Sequence, residues 1–364
     1  MNNILKYLRV SINLIENLNL DLSNLNILTE CASNAYAFTP IISCLAGAKS
    51  VIVVGSDTRY GKYEDNKSNI IKICNMSGLD ISKLIFVRRN KLDKMDLSNI
   101  DIITNSGQLR PITESLITKL KRTAVIPLMW EPWEFRKEDL NIVACQKKNI
   151  PVIGTNENFS EISMYGYNPL IVIKLLFDLG LEGYNNNIVL LGGGKSGNAA
   201  YQGLKKIGFK ILWFTSSGEK DSYKYEELQK IYNCEHVDAI VNYEHENPNI
   251  IIGKKSILDL KKIKTFFPYI SYGHITGSVK QSELDKYKVN YLPRKILPFG
   301  YMSYETINLG YRPALELATA GLKVGEIAAR SRINGESAEL AIKRTIEHGI
   351  GQDFKGGFFN FRIK

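Results

Sequence analysis

The stretch from Ile188 to Thr215 places an apolar run, a glycine-rich turn, a helical pattern and a second apolar run in immediate succession. Gly192, Gly194 and Gly197 stand at the spacing G-x-G-x-x-G directly after the run Ile188–Leu191. The run predicts a buried strand, and the apolar spacing after the glycines predicts a helix. A strand, a glycine turn and a helix in this order are typical of a unit that binds the pyrophosphate of a dinucleotide.

Each glycine has its own task in such a turn. Gly192 allows the tight turn, Gly194 lets backbone N–H groups approach the pyrophosphate, and Gly197 lets the helix pack close to the strand. Lys195 and Ser196 lie within the same turn and are further candidates for cofactor contacts. The alternative is a structural glycine turn in an α/β protein that binds no nucleotide.

The residues after the second apolar run predict which nucleotide is preferred. A site for NAD normally carries Asp or Glu there to hold the ribose 2′-hydroxyl, whereas this chain has Thr215, Ser216 and Ser217, with Lys220 nearby. Hydroxyls and a cation suit a 2′-phosphate, so we expect NADP(H) to be favoured over NAD(H). The alternative is that these are ordinary turn residues.

The length and composition are those of a globular protein of about two domains, since the chain has 364 residues and is 44% hydrophobic. No apolar run reaches the roughly 20 residues of a membrane span, and the N-terminus is not built like a signal peptide. The five cysteines form no C-x-x-C pair, so neither a disulfide framework nor a metal site is expected. The cytoplasm is the expected location.

The net charge of +10 raises the question of nucleic acid. The lysines are nevertheless dispersed over predicted helical surfaces, without interleaved aromatic residues; examples are Lys254, Lys255, Lys261, Lys262 and Lys264. A solvated face explains them, so a small-molecule substrate is the expected partner, with neither nucleic acid nor a membrane. A positive field would also favour an anionic cofactor and an anionic substrate.

The order of apolar runs predicts an α/β fold with two domains, each an open parallel sheet with flanking helices. Strands are expected at 49–55, 84–87, 100–104, 124–127 and 151–154, and then at 239–242, 250–252, 269–271 and 291–293. We expect a flavodoxin-like substrate domain at 1–166 and a Rossmann dinucleotide-binding domain at 167–302 that begins with an interdomain helix at 167–183. A C-terminal helical segment at 303–364, broken at Gly321 and Gly325, should pack back on the domains.

Three tracts of this layout resemble the D-isomer 2-hydroxyacid dehydrogenase superfamily, also described as formate/glycerate dehydrogenase-like. They are residues 100–157, the helix with the glycine turn that follows, and residues 237–284. The resemblance implies a nicotinamide-dependent oxidoreductase with two domains, and a homodimer.

The sequence departs from that family at its catalytic positions. Where the family places the Arg that holds the substrate carboxylate, this chain has Tyr243, Glu244 and His245, and we expect Tyr243 to contact the cofactor. Where the family has its acid–base His after a proline, this chain has Phe299, which cannot transfer a proton. His245 either substitutes for that His or is a surface residue.

The segment Ile270–His274 is similar to a turn of S-adenosylhomocysteine hydrolase, a relative of the same superfamily, whose His lies against the cofactor. The similarity implies that His274 contacts the cofactor or serves as a catalytic acid–base. The alternative is a hydrogen-bonded loop histidine.

Other candidate site residues follow predicted strands, because ligands of parallel sheets lie beyond the carboxyl ends of the strands. Arg59 could clamp an anion or pair with Asp57, and Ser106 and Gln108 lie in a polar loop whose backbone amides suit an oxygen-rich ligand. Trp130 could stack on a ligand.

Two further candidates would take part in proton transfer. Glu131 could act as a base, although Trp and Pro around it could simply cover a domain edge. Tyr301 is a candidate proton donor, and Arg312 could lower its pKa or bind an anion.

These features predict an NAD(P)-dependent oxidoreductase, without the usual catalytic His, that acts on a small polar, anionic or carbohydrate-like substrate. Residues 27–61 resemble proteins of surface or capsular polysaccharide clusters, which suggests a role in that biosynthesis. The alternatives are an enzyme that uses a tightly held NAD transiently and a non-catalytic nucleotide-binding or scaffold protein.

Overall fold

The computed structural model describes residues 2–253 and 256–362, so Lys254 and Lys255 lie outside the described residues. The chain divides into two compact units. The first unit comprises Met1–Ser163 and Tyr311–Lys364, and the second comprises Met164–Gly310. No helix in the described part of the chain is long and apolar enough to cross a membrane.

The strands are numbered in chain order. They are β1 (Asn26–Glu30), β2 (Ser50–Gly55), β3 (Leu84–Arg88), β4 (Ile102–Ile103), β5 (Ile126–Pro127), β6 (Val152–Thr155), β7 (Asn187–Leu191), β8 (Lys210–Thr215), β9 (Tyr223–Lys224), β10 (Ala239–Tyr243), β11 (Ser271–Thr276), β12 (Asn290–Leu292) and β13 (Gly351–Gln352).

The α-helices are numbered in the same way. They are α1 (Asn2–Asn17), α2 (Phe38–Leu45), α3 (Tyr63–Ser77), α4 (Glu114–Lys119), α5 (Ile142–Lys148), α6 (Tyr167–Asp178), α7 (Gly194–Ile207), α8 (Leu260–Phe266), α9 (Gln281–Lys286), α10 (Arg312–Ile333) and α11 (Ala338–Glu347).

The first unit contains a parallel sheet of order β3-β2-β1-β4 and a second sheet of order β13-β6-β5. A parallel bridge between Ile102 and Val125 joins the two sheets, and β13 pairs with β6 in the antiparallel direction. A flavodoxin-like sheet has the order 2-1-3-4-5. The flavodoxin-like prediction is therefore wrong, because β1 lies between β2 and β4.

Strand β1 escapes prediction because its second half is polar. Ile27 and Leu28 are apolar, but they are followed by Thr29 and Glu30, which are nevertheless buried. The Thr104 hydroxyl donates to the Thr29 hydroxyl over 2.9 Å, and the Glu30 carboxylate accepts a backbone hydrogen bond from the β4 loop. Buried polar side chains are tolerated where they are hydrogen-bonded in this way.

Helix α10 runs unbroken through Gly321 and Gly325, contrary to the predicted interruption at these glycines. Both glycines lie where the helix approaches the sheet. A Cβ atom at Gly321 would lie 2.5 Å from the Met129 sulfur, and one at Gly325 would lie 2.8 Å from a methyl carbon of Ile102. The two glycines allow the helix to pack closely on the first unit, to which the C-terminal segment belongs.

The second unit is built on a parallel sheet of order β12-β11-β10-β7-β8-β9. Counted from β7, this is the doubly wound order 3-2-1-4-5-6, with its reversal point between β7 and β10. Buried apolar clusters cover both faces of the sheet. The glycine turn follows β7 and therefore lies at the reversal point.

Some details of the second unit differ from the predictions. Residues 250–252 form no strand; Ile252 makes only single bridges to Leu258 and Val279. The expected boundary at 302 also falls inside the unit, which extends to Gly310, because Tyr304 is buried in its apolar core.

Candidate functional site

The glycine turn of the second unit has the close approaches that were expected of it. Gly192 has a φ of +119°, and a Cβ atom there would lie 2.2 Å from the Tyr243 carbonyl oxygen on β10. A Cβ atom at Gly197 would lie 2.5 Å from the Gly192 carbonyl oxygen. Only glycine fits at these positions, so the turn presses α7 against β7 and β10.

A carboxylate already binds the backbone N–H of the second glycine of the turn. The backbone N–H of Gly194, the first residue of α7, donates a hydrogen bond to the Glu219 carboxylate over 2.6 Å. Glu219 is half-buried and lies in the loop after β8. The N-terminus of a helix favours a negative charge, which accounts for this contact.

The hydroxyl of Thr215 is engaged in holding this loop. Its Oγ1 accepts backbone hydrogen bonds from Gly218 over 2.9 Å and from Glu219 over 3.2 Å, and it lies 3.0 Å from the Ser222 hydroxyl. Ser216, Ser217 and Lys220 are exposed. This turn brings Glu219, which is not among the sequence-based candidates, to the glycines.

The loop after β10 adds two more carboxylates near the turn. Glu244 is fully buried and accepts backbone hydrogen bonds from Glu246 and Asn247, over 2.7 and 3.0 Å. A Cβ atom at Gly194 would lie 3.0 Å from the Glu246 carboxylate. Burial and the neighbouring carboxylates Glu244 and Glu219 raise the pKa of Glu246.

Tyr243 is part of the apolar core of this unit. Its side chain is 1% exposed, and its phenol donates to the Asn168 side-chain oxygen over 2.8 Å. His245 packs beside it, with ring centroids 5.0 Å apart, and burial lowers the pKa of His245 to about 4. His245 is therefore a half-buried neutral histidine and not an exposed one. The cofactor contact expected of Tyr243 remains a prediction.

His274 is fully buried on β11, and both of its ring nitrogens have partners. Nε2 lies 3.0 Å from the Gly277 carbonyl oxygen and Nδ1 lies 3.0 Å from the Ser303 hydroxyl. Because a carbonyl can only accept, Nε2 carries the proton and Nδ1 accepts from Ser303. Burial lowers the pKa of His274 to about 4, so the ring is neutral at physiological pH. These contacts match the alternative of a hydrogen-bonded histidine.

Tyr301 and the turn residues around it lie in the loop after β12. Tyr301 is 44% exposed, and its backbone N–H donates to the Pro298 carbonyl over 3.2 Å.

The two polar residues of the glycine turn have contacts of their own. Lys195, on α7, lies with its ammonium 5.9 Å from the centre of the Tyr165 ring, and the Ser196 carbonyl accepts from the Asn168 amide over 3.4 Å. The roles expected of Tyr301, Lys195 and Ser196 remain predictions.

A second group of polar residues lies in the first unit, at the carboxyl ends of β1 and β4. The register pairs Ile27 with Ile102 and Leu28 with Ile103. Continued by two residues, it brings Asn105 opposite Glu30 on the same face of the sheet. Asn105 is 1% exposed, and neither atom of its side-chain amide has a hydrogen-bond partner among the described residues.

The loop after β4 holds Glu30 and links it to β2. Glu30 accepts the backbone N–H of Gln108 over 3.2 Å, and the Gln108 side-chain oxygen accepts both the backbone N–H and the hydroxyl of Ser56, over 3.0 and 2.9 Å. Ser106 is buried, and its hydroxyl bonds with that of Thr104. The backbone N–H of Gln108 is thus engaged by Glu30, and the substrate contacts expected of Ser106 and Gln108 remain predictions.

Glu30 is the titratable group of this edge. Burial raises the pKa of Glu30 to about 7, although backbone hydrogen bonds and the Arg110 guanidinium act in the opposite direction. A carboxyl with such a pKa can give and take a proton near neutral pH. Glu30 is not among the sequence-based candidates, because a Glu within a short strand gives no signal of burial.

Arg110 and Trp130 lie beside this group. The Arg110 guanidinium is 4.9 Å from the centre of the Trp130 ring, and it pairs with Asp139 over 2.9 Å. The Trp130 indole N–H and the Arg110 Nε are buried without hydrogen-bond partners within the described residues. The indole N–H of Trp130 therefore has no hydrogen-bond acceptor among the described residues, and the stacking expected of Trp130 remains a prediction.

Glu131, in contrast, is tied into its surroundings. It is fully buried and accepts from the Trp133 indole over 2.5 Å and from the Gln352 amide over 2.9 Å. These bonds fix the segment against β13 and match the alternative of a covered domain edge. The role of a base remains a prediction.

The two arginines expected to bind substrate are exposed. Arg59 stacks on the Tyr60 ring at 4.6 Å, while its supposed partner Asp57 lies 3.6 Å from Arg88. Arg312 pairs with Glu316 over 3.3 Å at the start of α10. Within the described residues, no group of three or more His, Cys, Asp and Glu side chains could hold a metal ion.

Solved structures of similar architecture exist. The chain is similar to a dipicolinate synthase component from Bacillus halodurans, with 13% sequence identity and a TM-score of 0.53 over 86% of this chain and 99% of that chain. The corresponding component of dipicolinate synthase from Bacillus subtilis matches with 12% identity and a TM-score of 0.51 over 87% and 98%. An NAD⁺-bound 3-phosphoglycerate dehydrogenase from Entamoeba histolytica matches with 13% identity and a TM-score of 0.44 over 86% and 97%.

No protein-family model and no curated protein matches the sequence. The two structures with TM-scores above 0.5 confirm the predicted class of fold, an α/β fold with two domains built on open sheets with flanking helices.

Proposed function

We propose that this protein is a nicotinamide-dependent oxidoreductase that acts on a small polar, anionic or carbohydrate-like substrate. The main support is the glycine turn after β7, where a Cβ atom at Gly192 or Gly197 would lie only 2.2 or 2.5 Å from a backbone carbonyl oxygen. The turn lies at the reversal point of a doubly wound sheet, which is where such folds bind nucleotides.

The residues around the turn fit a dinucleotide whose ribose carries a free 2′-hydroxyl. Glu219 lies at the second glycine and could accept that hydroxyl, whereas it would repel a 2′-phosphate. The preference for NADP(H) was inferred from Thr215, Ser216 and Ser217. Because Thr215 is engaged by its own loop, we propose instead that NAD(H) is preferred.

The substrate would bind at the carboxyl edge of the first unit, near Asn105, Trp130 and Glu30. The unpartnered amide of Asn105 can both donate and accept, which suits a hydroxyl or carbonyl oxygen. Glu30, with a pKa of about 7, could exchange a proton with such an oxygen near neutral pH.

A non-catalytic nucleotide-binding protein is the second candidate. The observation in its favour is that His274 has both ring nitrogens engaged, by Ser303 and Gly277, so that it has no free nitrogen to exchange a proton. This candidate and the proposed enzyme agree in binding a nucleotide and differ in turnover.

Calorimetric titration of the full chain with NAD, NADH, NADP and NADPH tests the proposal, together with mass analysis of the protein as purified. Exchangeable binding, with NADH tighter than NADPH, would support it. A nucleotide that copurifies would support the alternative of a tightly held cofactor. Absence of both binding and retained nucleotide would overturn the proposal.

Turnover separates the enzyme from the non-catalytic protein. Oxidation of NADH in the presence of a panel of small carbonyl compounds, including sugars and 2-oxo acids, should be detectable for at least one compound. Glu30→Gln should abolish that turnover, and NADH titration of the same variant shows whether nucleotide binding is retained. Nucleotide binding without turnover across the panel would favour the second candidate.

A further inference from the structure

A cavity of about 490 Å³ lies at the opposite edge of the first unit from Glu30. Its lining includes Arg122, Lys148, Asn149 and Arg332. Arg122 and Asn149 precede β5 and β6 in the chain, so they lie at the amino ends of these strands, whereas Glu30 and Asn105 follow the carboxyl ends of theirs. A ligand in this cavity would therefore be distinct from the substrate.

The cavity is strongly positive. Arg122, Lys147, Lys148 and Arg332 line it, and Glu114 is the one carboxylate among the described lining residues. None of these four cations forms an ion pair within the described part of the chain. Burial lowers the pKa of Lys148, and the nearby charge of Arg122 lowers it further.

Two of these cations donate hydrogen bonds to backbone carbonyls of the first unit. Lys148 donates to the Thr118 carbonyl at the end of α4, and Arg332 donates to the carbonyls of Arg122 and Glu336 over 2.9 and 2.7 Å. Cations near the C-termini of helices are stabilising. These contacts position the two side chains, but they do not use all of their donors.

The cations that have no carboxylate partner favour an anionic ligand. Arg332 is 8% exposed, and its Nε has no partner among the described residues, although a buried guanidinium nitrogen without a hydrogen bond is costly. Arg122 and Lys147 are exposed at the rim, where they add charge without carboxylate partners. An anion in the cavity would pair with the cations that line it.

We propose that this cavity binds a small molecule that carries two or more anionic groups, phosphate or carboxylate. Several cations spread around a cavity of this size match separated charges better than a single one. The proposal does not depend on the proposed oxidoreductase function, since none of its residues belongs to the second unit.

Calorimetric titration of the full chain with pyrophosphate and, separately, with citrate tests the proposal. We expect binding of at least one of the two that weakens as salt is added. The double variant Arg122→Gln/Lys147→Gln, which changes only exposed residues, should weaken binding about tenfold or more. The control Lys72→Gln/Lys137→Gln removes the same charge from exposed residues that do not line the cavity, and it should stay within about twofold of the wild type.

The glycine turn is a competing site for pyrophosphate, so a third variant is needed. Gly194→Val should retain pyrophosphate binding, and the Arg122/Lys147 double variant should retain NADH binding. The proposal is overturned if the wild type binds neither anion, if the double variant loses no more affinity than the control, or if Gly194→Val abolishes pyrophosphate binding. None of these results would decide whether the protein binds NADH.

Discussion

The Glu219 carboxylate accepts a hydrogen bond from the backbone N–H of Gly194 over 2.6 Å. This contact places a negative charge at the first residue of α7, in the turn where Gly192 and Gly197 leave no room for a Cβ atom. A carboxylate in this position can hold the ribose hydroxyls of a dinucleotide and disfavours an additional phosphate. Nucleotide preference should therefore depend on this one side chain.

We expect Glu219→Gln to shift nucleotide preference toward NADPH. Loss of the carboxylate removes the repulsion of the 2′-phosphate and weakens the acceptor for the 2′-hydroxyl, so the ratio of NADPH to NADH affinity should rise about tenfold. Calorimetry on both nucleotides measures the ratio. Glu226→Gln, at an exposed position of the same unit, is the control and should leave the ratio unchanged. A wild type that binds NADPH more tightly than NADH would contradict the role given to Glu219.

Gly194→Val should block nucleotide binding in a folded protein. Gly194 has a φ of +66°, and a Cβ atom there would lie 3.0 Å from the Glu246 carboxylate, so valine would obstruct the face of the turn that approaches the pyrophosphate. We expect at least a tenfold loss of NADH affinity, measured after circular dichroism has shown native secondary structure.

Gly78→Val is the matched control for that variant. Gly78 has a φ of +68° and no atom within 4 Å of its Cβ position, so valine there has a comparable backbone strain without the obstruction. The control should bind NADH like the wild type. Equal NADH affinity of Gly194→Val and the control would remove the main support for a nucleotide site.

The second unit could be predicted in most of its elements because the signals are local. The run Ile188–Leu191, the glycine turn and the helix after it follow one another within about twenty residues, and each has its own periodicity. Contacts made by a loop could not be predicted in this way. Glu219 reaches Gly194 only because the Thr215 hydroxyl shapes the turn between them, and no periodicity reports on such a turn.

The first unit shows the same limit over longer distances. Glu30 is held by the backbone of Gln108, which is 78 residues away in the chain, and its burial depends on the position of β1 inside the sheet. The glycines of α10 likewise resemble breaks in a helix, because the residues that require them are distant in the chain: Ile102 lies in β4 and Met129 follows β5. Both the burial of Glu30 and the glycines of α10 therefore depend on packing between segments that are distant in the chain.

His274→Ala should reduce stability without changing nucleotide affinity. The variant leaves the Ser303 hydroxyl and the Gly277 carbonyl without their buried partner and opens a cavity, so we expect a loss of roughly 2–4 kcal/mol. Thermal unfolding and NADH titration of the folded variant are the measurements. His236→Ala is the control, since the His236 side chain is 58% exposed. A marked loss of NADH affinity in His274→Ala would instead support the cofactor contact that the sequence predicted.

Glu30→Gln should make the protein more stable relative to the wild type as the pH rises. Burial raises the pKa of Glu30 from an ordinary 4.5 to about 7, so between these values the unfolded chain releases a proton that the folded chain keeps. Stability therefore falls with rising pH across this window and does not change further above it. Glutamine does not titrate, so the variant should gain up to about 3 kcal/mol over the wild type between pH 4.5 and 7.

The melting temperatures of wild type and Glu30→Gln, measured in steps from pH 4.5 to 8, test this expectation. Glu16→Gln changes an exposed carboxyl on α1, and its difference from the wild type should stay constant over the same range. If the difference between Glu30→Gln and the wild type also stays constant, Glu30 does not titrate in this window. It could not then exchange a proton with a substrate near neutral pH, and the acid–base role would pass to another group.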